Sequence, residues 1–343
     1  MRCILYCLIL LLAACAPRGE IRYGAPSPAA AVHDVWAVKF RPTQSTAPGQ
    51  SLPPRPERMQ FQRDRVSVPP GHRTGRIEWP DATPDAGRDF VTLSTDSYGD
   101  IGRFAAQVAR QDPNRSGETM LFVHGYNFTH GEAVYQMAQI LHDFEVPSPG
   151  VLFSWPSAAT PLGYLYDRDS VLIARDALEQ VIVALTRDPN RRLVLVGHSM
   201  GSLLLMETLR QIAISGSVDV AERVAALIMI APDIDGELFY SQASRLDALP
   251  DPTVIIGSHD DKVLRLSALL TGRSYRLGSK TDRSAVRGLP VTVIDASAFS
   301  DGSRDHSVAL ESPAAIAVLK NMRGNLLPGE ISLPPLIKLS GHQ

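Results

Sequence analysis

Cysteine is confined to the first fifteen residues of this 343-residue chain, where Cys3, Cys7 and Cys15 lie. The rest of the chain therefore contains neither a disulfide nor a thiolate nucleophile. A formal net charge of −2 offers no basic surface of the kind that nucleic-acid binding requires. The histidines lack the spacing of metal ligands, and no glycine-rich phosphate loop follows a strand, so we expect neither a metal nor a cofactor.

The apolar run at residues 4–14 is too short to span a bilayer as a helix. Arg2 precedes it and small residues end it, which is the pattern of a secretory signal. Leu12-Ala13-Ala14-Cys15 resembles a bacterial lipobox, and the resemblance implies cleavage before Cys15 and a diacylated cysteine. We expect an exported lipoprotein anchored to the membrane of the bacterial envelope. Ala16 follows the cysteine, which resembles the pattern of lipoproteins that are sent on to the outer membrane, and the resemblance implies the outer rather than the inner membrane. A plain signal peptide that contains a cysteine is the alternative.

Composition divides the chain into four parts. Residues 1–14 form the predicted signal peptide, with the lipobox at 12–15, and residues 15–31 form an Ala/Pro-rich tether. Residues 32–325 have an ordinary globular composition and are long enough to bury one sizeable core. Residues 326–343 form a Pro-rich tail.

Buried strands and amphipathic helices alternate along residues 32–325. Strands are predicted at 35–40, 66–68, 90–93, 119–123, 151–155, 193–196, 226–230, 253–256 and 291–294. Helices are predicted at 101–110, 131–143, 167–185, 201–214, 238–246 and 313–322. This alternation indicates an α/β fold with a mostly parallel sheet and helices on both faces. The connection from 230 to 253 has room for one short lid helix and for no separate cap domain.

One stretch, residues 193–205, places a serine between two glycines where a strand turns into a helix. Ser199 lies in Gly197-His198-Ser199-Met200-Gly201, which matches the G-x-S-x-G pattern of a nucleophile elbow. Gly197 and Gly201 suit a strained turn with closely packed backbone, because a side chain at either position would clash. We expect the turn to present Ser199 Oγ to a substrate. A chance match is the alternative, and the flanking strand and helix argue against it.

A serine that attacks a carbonyl needs two backbone N–H groups to bind the oxyanion. The residue after the serine, Met200, is expected to supply one of them. The other should come from a loop after an earlier strand, and Leu121-Phe122-Val123-His124-Gly125-Tyr126-Asn127 meets this requirement. Gly125 allows close approach of the backbone, and the Tyr126 N–H is the expected donor. The alternative is that His124 and Gly125 simply end the strand.

A catalytic base should follow Ser199, after the acid, in the order Ser, acid, His. Three histidines lie downstream. His306 is preferred because it follows the last predicted strand, in a loop before the final helix. His259 lies where the acid is expected, and His342 lies in the Pro-rich tail.

The residues alone leave three candidates for the acid. Asp260 and Asp261 both follow the strand at 253–256, and adjacent side chains point in different directions, so only one of them can reach the base. Asp233 follows the preceding strand, where capping of a helix is its alternative role. The acid would hold the correct imidazole tautomer and stabilise the imidazolium.

Six short motifs occur in a fixed order between residues 32 and 323. They are Phe122-Val123-His124-Gly125-Tyr126-Asn127, Phe153-Ser154-Trp155-Pro156-Ser157, Tyr164-Leu165-Tyr166-Asp167, Gly197-His198-Ser199-Met200-Gly201, Ala231-Pro232-Asp233-Ile234-Asp235 and Asp305-His306-Ser307. Together they resemble a bacterial family of α/β-hydrolases of unknown function, esterase- or lipase-like by sequence. The resemblance implies the α/β-hydrolase fold. An Asp-x-x-Leu pattern follows the penultimate strand in that family, and Asp261-Lys262-Val263-Leu264 matches it, which favours Asp261.

Aromatic residues after the strand at 151–155 are candidates for the lining of a substrate pocket. Trp155, Tyr164 and Tyr166 lie there, although such residues pack in the core at least as often. We expect Asp167 to cap the helix that follows it.

These residues predict a catalytic domain at 32–325 that cleaves a small-molecule carboxylic ester through an acyl-enzyme on Ser199. An acyltransferase or a thioesterase would use the same triad and is an alternative. A non-catalytic envelope-binding lipoprotein on the same fold is the non-enzymatic alternative. The membrane, reached through lipidated Cys15, and the ester substrate are the expected partners, and neither a nucleic acid nor a metal is expected.

Overall fold

The computed structural model describes residues 19–40, 52, 54–55, 58–112, 116–279, 286–300, 305–324 and 336–338. The predicted signal peptide, Cys15 and His342 lie outside the described residues, as does most of the predicted tail. The boundaries of the tether, the domain and the tail therefore stay predictions.

The described residues form one ten-stranded sheet with the order β10-β9-β8-β7-β6-β4-β5-β1-β2-β3. The strands are β1 Ala31–Phe40, β2 Met59–Val68, β3 Val91–Tyr98, β4 Glu118–Val123, β5 Gly150–Ser154, β6 Arg192–His198, β7 Val224–Ile230, β8 Thr253–Gly257, β9 Val291–Asp295 and β10 Leu336–Lys338. Every neighbouring pair from β10 to β1 is parallel, and β2 and β3 extend the sheet in antiparallel fashion. The carboxyl ends of the parallel strands therefore meet along one edge.

Strand β4 illustrates why the central strands have near-continuous apolar sequences. Leu121 and Val123 pack into the core on one face of the sheet, whereas Met120 and Phe122 pack into the core on the other. All four side chains are buried, so neither face is left for a polar residue.

Helices cover both faces, as predicted. One face carries Ile101–Arg110, Tyr164–Leu185, Met200–Ser215, Val220–Arg223 and Gly236–Ala243. The other carries His130–Asp143, Lys262–Leu270, Val308–Glu311 and Pro313–Gly324. Leu277–Ser279 and Ser297–Phe299 form short 3-10 turns. The predicted fold class, a mostly parallel open sheet between two helical layers, is confirmed.

The short helices Val220–Arg223 and Val308–Glu311 were not predicted, and three longer helices also differ from the prediction. The long helix begins at Tyr164 instead of residue 167, and Lys262–Leu270 was not predicted because its apolar run is short. The helix expected at 238–246 lies at Gly236–Ala243, because the Asp235 side chain accepts from the amides of Glu237 and Leu238 and so begins it earlier. This eight-residue helix is the one regular element between β7 and β8 in the described chain, so the connection holds no separate cap domain.

Gly201 sets how closely the helix Met200–Ser215 approaches strand β4. A Cβ atom at position 201 would lie 2.2 Å from the carbonyl oxygen of Val123 and 2.6 Å from that of His124. Both neighbours are backbone atoms, which cannot rotate away as a side chain can. Glycine is therefore required for the helix to pack at this distance.

Replacing Gly201 with alanine should lower the free energy of unfolding by about 1–3 kcal/mol, because the methyl group overpacks this contact. Urea unfolding monitored by circular dichroism measures the change. Gly71→Ala is the matched control, since a Cβ there meets nothing within 4 Å. Equal unfolding midpoints for the two variants would contradict the close packing.

Candidate active site

Ser199 lies at the turn between β6 and the helix Met200–Ser215, with a strained backbone. Its φ of 53° and ψ of −120° belong to a region that L-residues rarely adopt. Three hydrogen bonds hold the residue there: its N–H donates to the Ile230 carbonyl at 2.9 Å, and its carbonyl accepts from the amides of Ser202 and Asp233 at 3.1 and 3.2 Å. This geometry is that of a nucleophile elbow.

The surroundings of Ser199 explain why the elbow needs Gly197. A Cβ at position 197 would lie 2.8 Å from the backbone nitrogen of Ser202, in the first turn of the helix. Met200 is the first residue of that helix, where N–H groups have no partner within the helix and the helix dipole favours negative charge. Ser199 itself is buried, with 1% of the residue exposed, so the expected open presentation of its side chain is not found. Backbone packed on both sides of the turn is the reason.

The loop after β4 contacts Ser199 directly through Gly125. A Cβ on Gly125 would lie 3.1 Å from the Cβ of Ser199 and 2.9 Å from Nδ1 of His198. Tyr126 follows in the chain, and its hydroxyl donates to the carbonyl of Pro161. The structure therefore brings the predicted oxyanion loop and the serine together.

His306 and Asp261 form a close side-chain pair. Nδ1 of His306 lies 2.8 Å from Oδ2 of Asp261, whose side chain is fully buried. The other oxygen of Asp261, Oδ1, accepts from the amide of Leu264 at 2.9 Å and caps the helix Lys262–Leu270. A carboxylate only accepts hydrogen bonds, so Nδ1 of His306 carries the proton and Nε2 is left as the basic nitrogen.

The other two acid candidates have different partners. Asp260 is about half exposed, and its Oδ2 lies 3.5 Å from Nε2 of the exposed His259. Asp233 is buried, and Arg276 Nε lies 3.0 Å from its Oδ1. Tyr164 OH also donates to Asp233, at 3.0 Å. Of the three aspartates, the structure brings Asp261 to His306.

The three predicted pocket residues have packing and hydrogen-bonding partners. The Trp155 ring stacks on that of His124, with 5.0 Å between centroids, and its Nε1 donates to the His124 carbonyl at 2.8 Å. Tyr164 is buried and meets the ring of Tyr126 edge-on at 5.6 Å. The guanidinium of Arg55 lies 4.0 Å from the centre of the Tyr166 ring. Trp155 therefore supports the loop after β4.

Two buried histidines, His124 and His198, lie beside this arrangement. Burial and, to a smaller extent, the neighbouring His306, with ring centroids 5.0 Å apart, together lower the pKa of His198 to about 3. Burial likewise lowers the pKa of His124 to about 4. Both imidazoles are therefore neutral at physiological pH, and neither places a positive charge next to His306.

Two features are absent from the part of the chain that the structure describes. Within it, no group of three or more His, Cys, Asp or Glu side chains is arranged to hold a metal ion. No helix among the same residues has both the length and the apolar character needed to cross a membrane.

Residues 103–323, more than half of the chain, match the family model described as "Alpha/beta hydrolase of unknown function (DUF900)". The chain belongs to this α/β-hydrolase family. A search of the curated proteins gave no match.

Solved structures with similar folds include three hydrolases of low sequence identity. A predicted CIB-like hydrolase from Thermoplasma acidophilum is 16% identical, with a TM-score of 0.40, and the match covers 78% of this chain and 93% of that one. Lipase B of Aspergillus fumigatus is 15% identical, with a TM-score of 0.41 and coverage of 61% and 52%. Dienelactone hydrolase from Anabaena variabilis is 11% identical, with a TM-score of 0.38 and coverage of 78% and 90%. These likenesses carry no argument about substrate.

Asp167 of this DUF900 family member does not have the capping role predicted for it. The helix begins at Tyr164, its cap residue is Gly163, and no side chain accepts a hydrogen bond at that cap. Asp167 therefore lies inside the first turn, and its carboxylate faces the loops that follow β4 and β5. No local sequence pattern marks this contact, because the donors are 9 to 40 residues away in the chain.

The buried histidines should make the protein sensitive to acid. The unfolded chain binds a proton on His124 near pH 6.5, whereas the folded chain does so only near pH 4. The free energy of unfolding therefore falls as the pH drops through this window, by about 3 kcal/mol in total, and is unaffected above it. His124→Phe should reduce the slope of the free energy of unfolding against pH between pH 6.5 and 4. Urea unfolding at a series of pH values measures this slope.

An overall loss of stability in His124→Phe lowers the free energy of unfolding equally at every pH. It therefore does not affect the slope against pH, which is the quantity compared. His259→Phe is the control, because it makes the same replacement at a histidine whose side chain is 57% exposed instead of buried. A His124→Phe slope equal to that of the parent would show that His124 does not carry the acid sensitivity.

Proposed function

We propose that this DUF900 protein is a serine hydrolase that cleaves carboxylic esters through an acyl-enzyme on Ser199. The observation that carries the proposal is the Asp261–His306 pair, in which Oδ2 of a buried carboxylate lies 2.8 Å from Nδ1 of a partly exposed imidazole, at the same sheet edge as a strained serine. Such an acid–base pair beside an elbow serine is the apparatus of nucleophilic acyl transfer. Family membership supports hydrolase chemistry, and the ester substrate is our inference.

In the first half of the reaction, Ser199 Oγ attacks the ester carbonyl while Nε2 of His306 takes the hydroxyl proton. The carbonyl oxygen becomes an oxyanion, which we assign to the backbone N–H groups of Met200 and Tyr126. Collapse of the tetrahedral intermediate breaks the bond to the alkoxy group. The imidazolium of His306 returns its proton to that group, so an alcohol leaves and an acyl-serine remains.

In the second half, water replaces the alcohol. His306 takes a proton from the water, which attacks the acyl-serine, and the same oxyanion donors serve again. The acid leaves, and Ser199 regains its proton from His306. In both halves the buried carboxylate of Asp261 stabilises the imidazolium of His306 without taking its proton.

Replacing Ser199 with alanine should lower kcat for short-chain 4-nitrophenyl esters by about 10⁴-fold or more, because the nucleophile is lost. The same variant should no longer react with a fluorophosphonate probe. Ser215→Ala is the matched control, since Ser215 ends the same helix and is hydrogen-bonded to Glu179 on the exposed surface. A Ser199→Ala protein that hydrolyses these esters as fast as the parent would refute the proposal.

Asp261→Asn separates the catalytic role of this side chain from its structural one. An asparagine oxygen still caps the helix Lys262–Leu270, so the free energy of unfolding should change little. The amide has a single oxygen, so it cannot accept from the Leu264 N–H and from Nδ1 of His306 at the same time. The His306 tautomer is then no longer held, and kcat should fall by about 10³–10⁴-fold. The neighbouring, half-exposed Asp260 gives the control: Asp260→Asn should leave kcat within about threefold of the parent. If the two variants were equally active, Asp261 would not be the acid.

Cellular location is a separate proposal that rests on residues 1–16 alone. We propose that the protein is exported and that acyl chains on Cys15 hold it at the bacterial envelope, with the outer membrane as its place. Two or three acyl chains bury enough methylene groups for firm anchoring. The tether at 15–31 would then separate the hydrolase domain from the bilayer.

A further inference from the structure

Asp167 accepts three hydrogen bonds from two loops next to the proposed site. Its Oδ2 accepts from the backbone amide of Asn127 at 3.1 Å and from the hydroxyl of Ser157 at 2.7 Å. Its Oδ1 accepts from the amide of Ala158 at 2.6 Å. The residue is completely buried. All three partners donate to the carboxyl group, so this side chain acts as an acceptor, although its burial raises the pKa of Asp167.

The Asn127 contact fixes the backbone beside the proposed oxyanion donor. Asn127 directly follows Tyr126, and the N–H that Asp167 binds belongs to the peptide joining the two residues. Asn127 also has a φ of 61°, a left-handed conformation that asparagine adopts more readily than most non-glycine residues. The direction of this peptide determines the ψ angle of Tyr126. Asp167 therefore constrains the residue whose N–H we assign to the oxyanion.

The same loop is held at its other end by Trp155. Nε1 of Trp155 donates to the carbonyl of His124 at 2.8 Å, two residues before Tyr126. Both supports come from the chain that follows β5: Trp155 directly, and Asp167 through the start of the helix Tyr164–Leu185. Hydrogen bonds on both sides of Tyr126 hold its N–H in place before the reaction. Such preorganised donors are what makes an oxyanion site effective.

The helix Tyr164–Leu185 does not need the Asp167 side chain. Asp167 N–H donates to the Gly163 carbonyl at 2.8 Å as part of the regular helix, while its carboxylate points to other loops. A carboxylate in the first turn interacts favourably with the helix dipole, but a surface position would serve that purpose without the cost of burial. The buried position therefore calls for a role outside the helix.

We propose that Asp167 is a positioning residue that sets the oxyanion-binding geometry of the loop His124–Asn127 by holding the amide of Asn127. This inference rests on the proposed function of Ser199. Asp167 touches neither the substrate nor the reacting atoms in this role. It acts through the backbone of Tyr126, and its loss should weaken stabilisation of the transition state more than binding of the substrate.

Asp167→Asn keeps the size of the side chain and replaces one acceptor oxygen with an N–H2 donor. Either orientation of the amide leaves at least one of the Asn127 and Ala158 N–H groups facing a donor. We expect kcat per active site to fall about 10- to 100-fold for a soluble 4-nitrophenyl ester, with KM within about threefold of the parent. A boronic acid, which mimics the tetrahedral intermediate, should bind more weakly by the same factor as kcat/KM falls.

Ser157→Ala is the matched control, because it removes one of the three hydrogen bonds to Asp167 and leaves both backbone amides bound. Its kcat per active site should stay within about threefold of the parent, whatever its loss of stability. Active sites are counted from the end-point of fluorophosphonate labelling. If Asp167 only stabilised the fold, Asp167→Asn would show fewer labelled sites with an unchanged kcat per site, and the proposal would fall.

Hydrogen exchange provides a readout that does not depend on catalysis. Asp167→Asn should speed exchange at the amides of Asn127 and Ala158 beyond any change seen in Ser157→Ala. If the parent is neither labelled by the probe nor active on esters, the proposed function of Ser199 is wrong. Exchange at Asn127 then still decides whether Asp167 holds the loop: faster exchange supports that part, and exchange equal to the parent overturns it.

Discussion

The proposed active site depends on one carboxylate that makes two hydrogen bonds in different directions. Oδ1 of Asp261 begins the helix Lys262–Leu270, and Oδ2 orients His306. Because the helix cap fixes the carboxylate, His306 has a rigid partner although it lies in a loop. The helix Lys262–Leu270 thus fixes the orientation of the base through the side chain that caps it.

Close contacts between backbone segments bring the other parts of the site together. Gly201 lets the helix after Ser199 rest against the end of β4, and Gly125 lets the next loop touch the serine. The Gly201 contact is with backbone atoms alone, whereas Gly125 faces the side chains of His198 and Ser199. The parallel arrangement of β4, β6 and β8 makes these contacts possible, because it delivers each loop at the same edge.

Periodicity predicted the sheet and most helices because the central strands are buried on both faces and the helices on one. The elbow was also predictable, since Gly197, Ser199 and Gly201 lie within five residues. The choice of Asp261 over Asp260 needed a family resemblance, because it depends on which residue caps a short helix that periodicity missed. The surroundings of Asp167 were beyond prediction, because its donors come from loops distant in the chain.

The backbone of Ser199 links the stability of the protein to its proposed activity. A residue with a side chain at a φ of 53° and a ψ of −120° costs on the order of 1–3 kcal/mol, and glycine would remove most of that cost. Glycine at position 199 would also remove the proposed nucleophile. The replacement that relieves the strain is therefore the one that the proposed reaction does not allow.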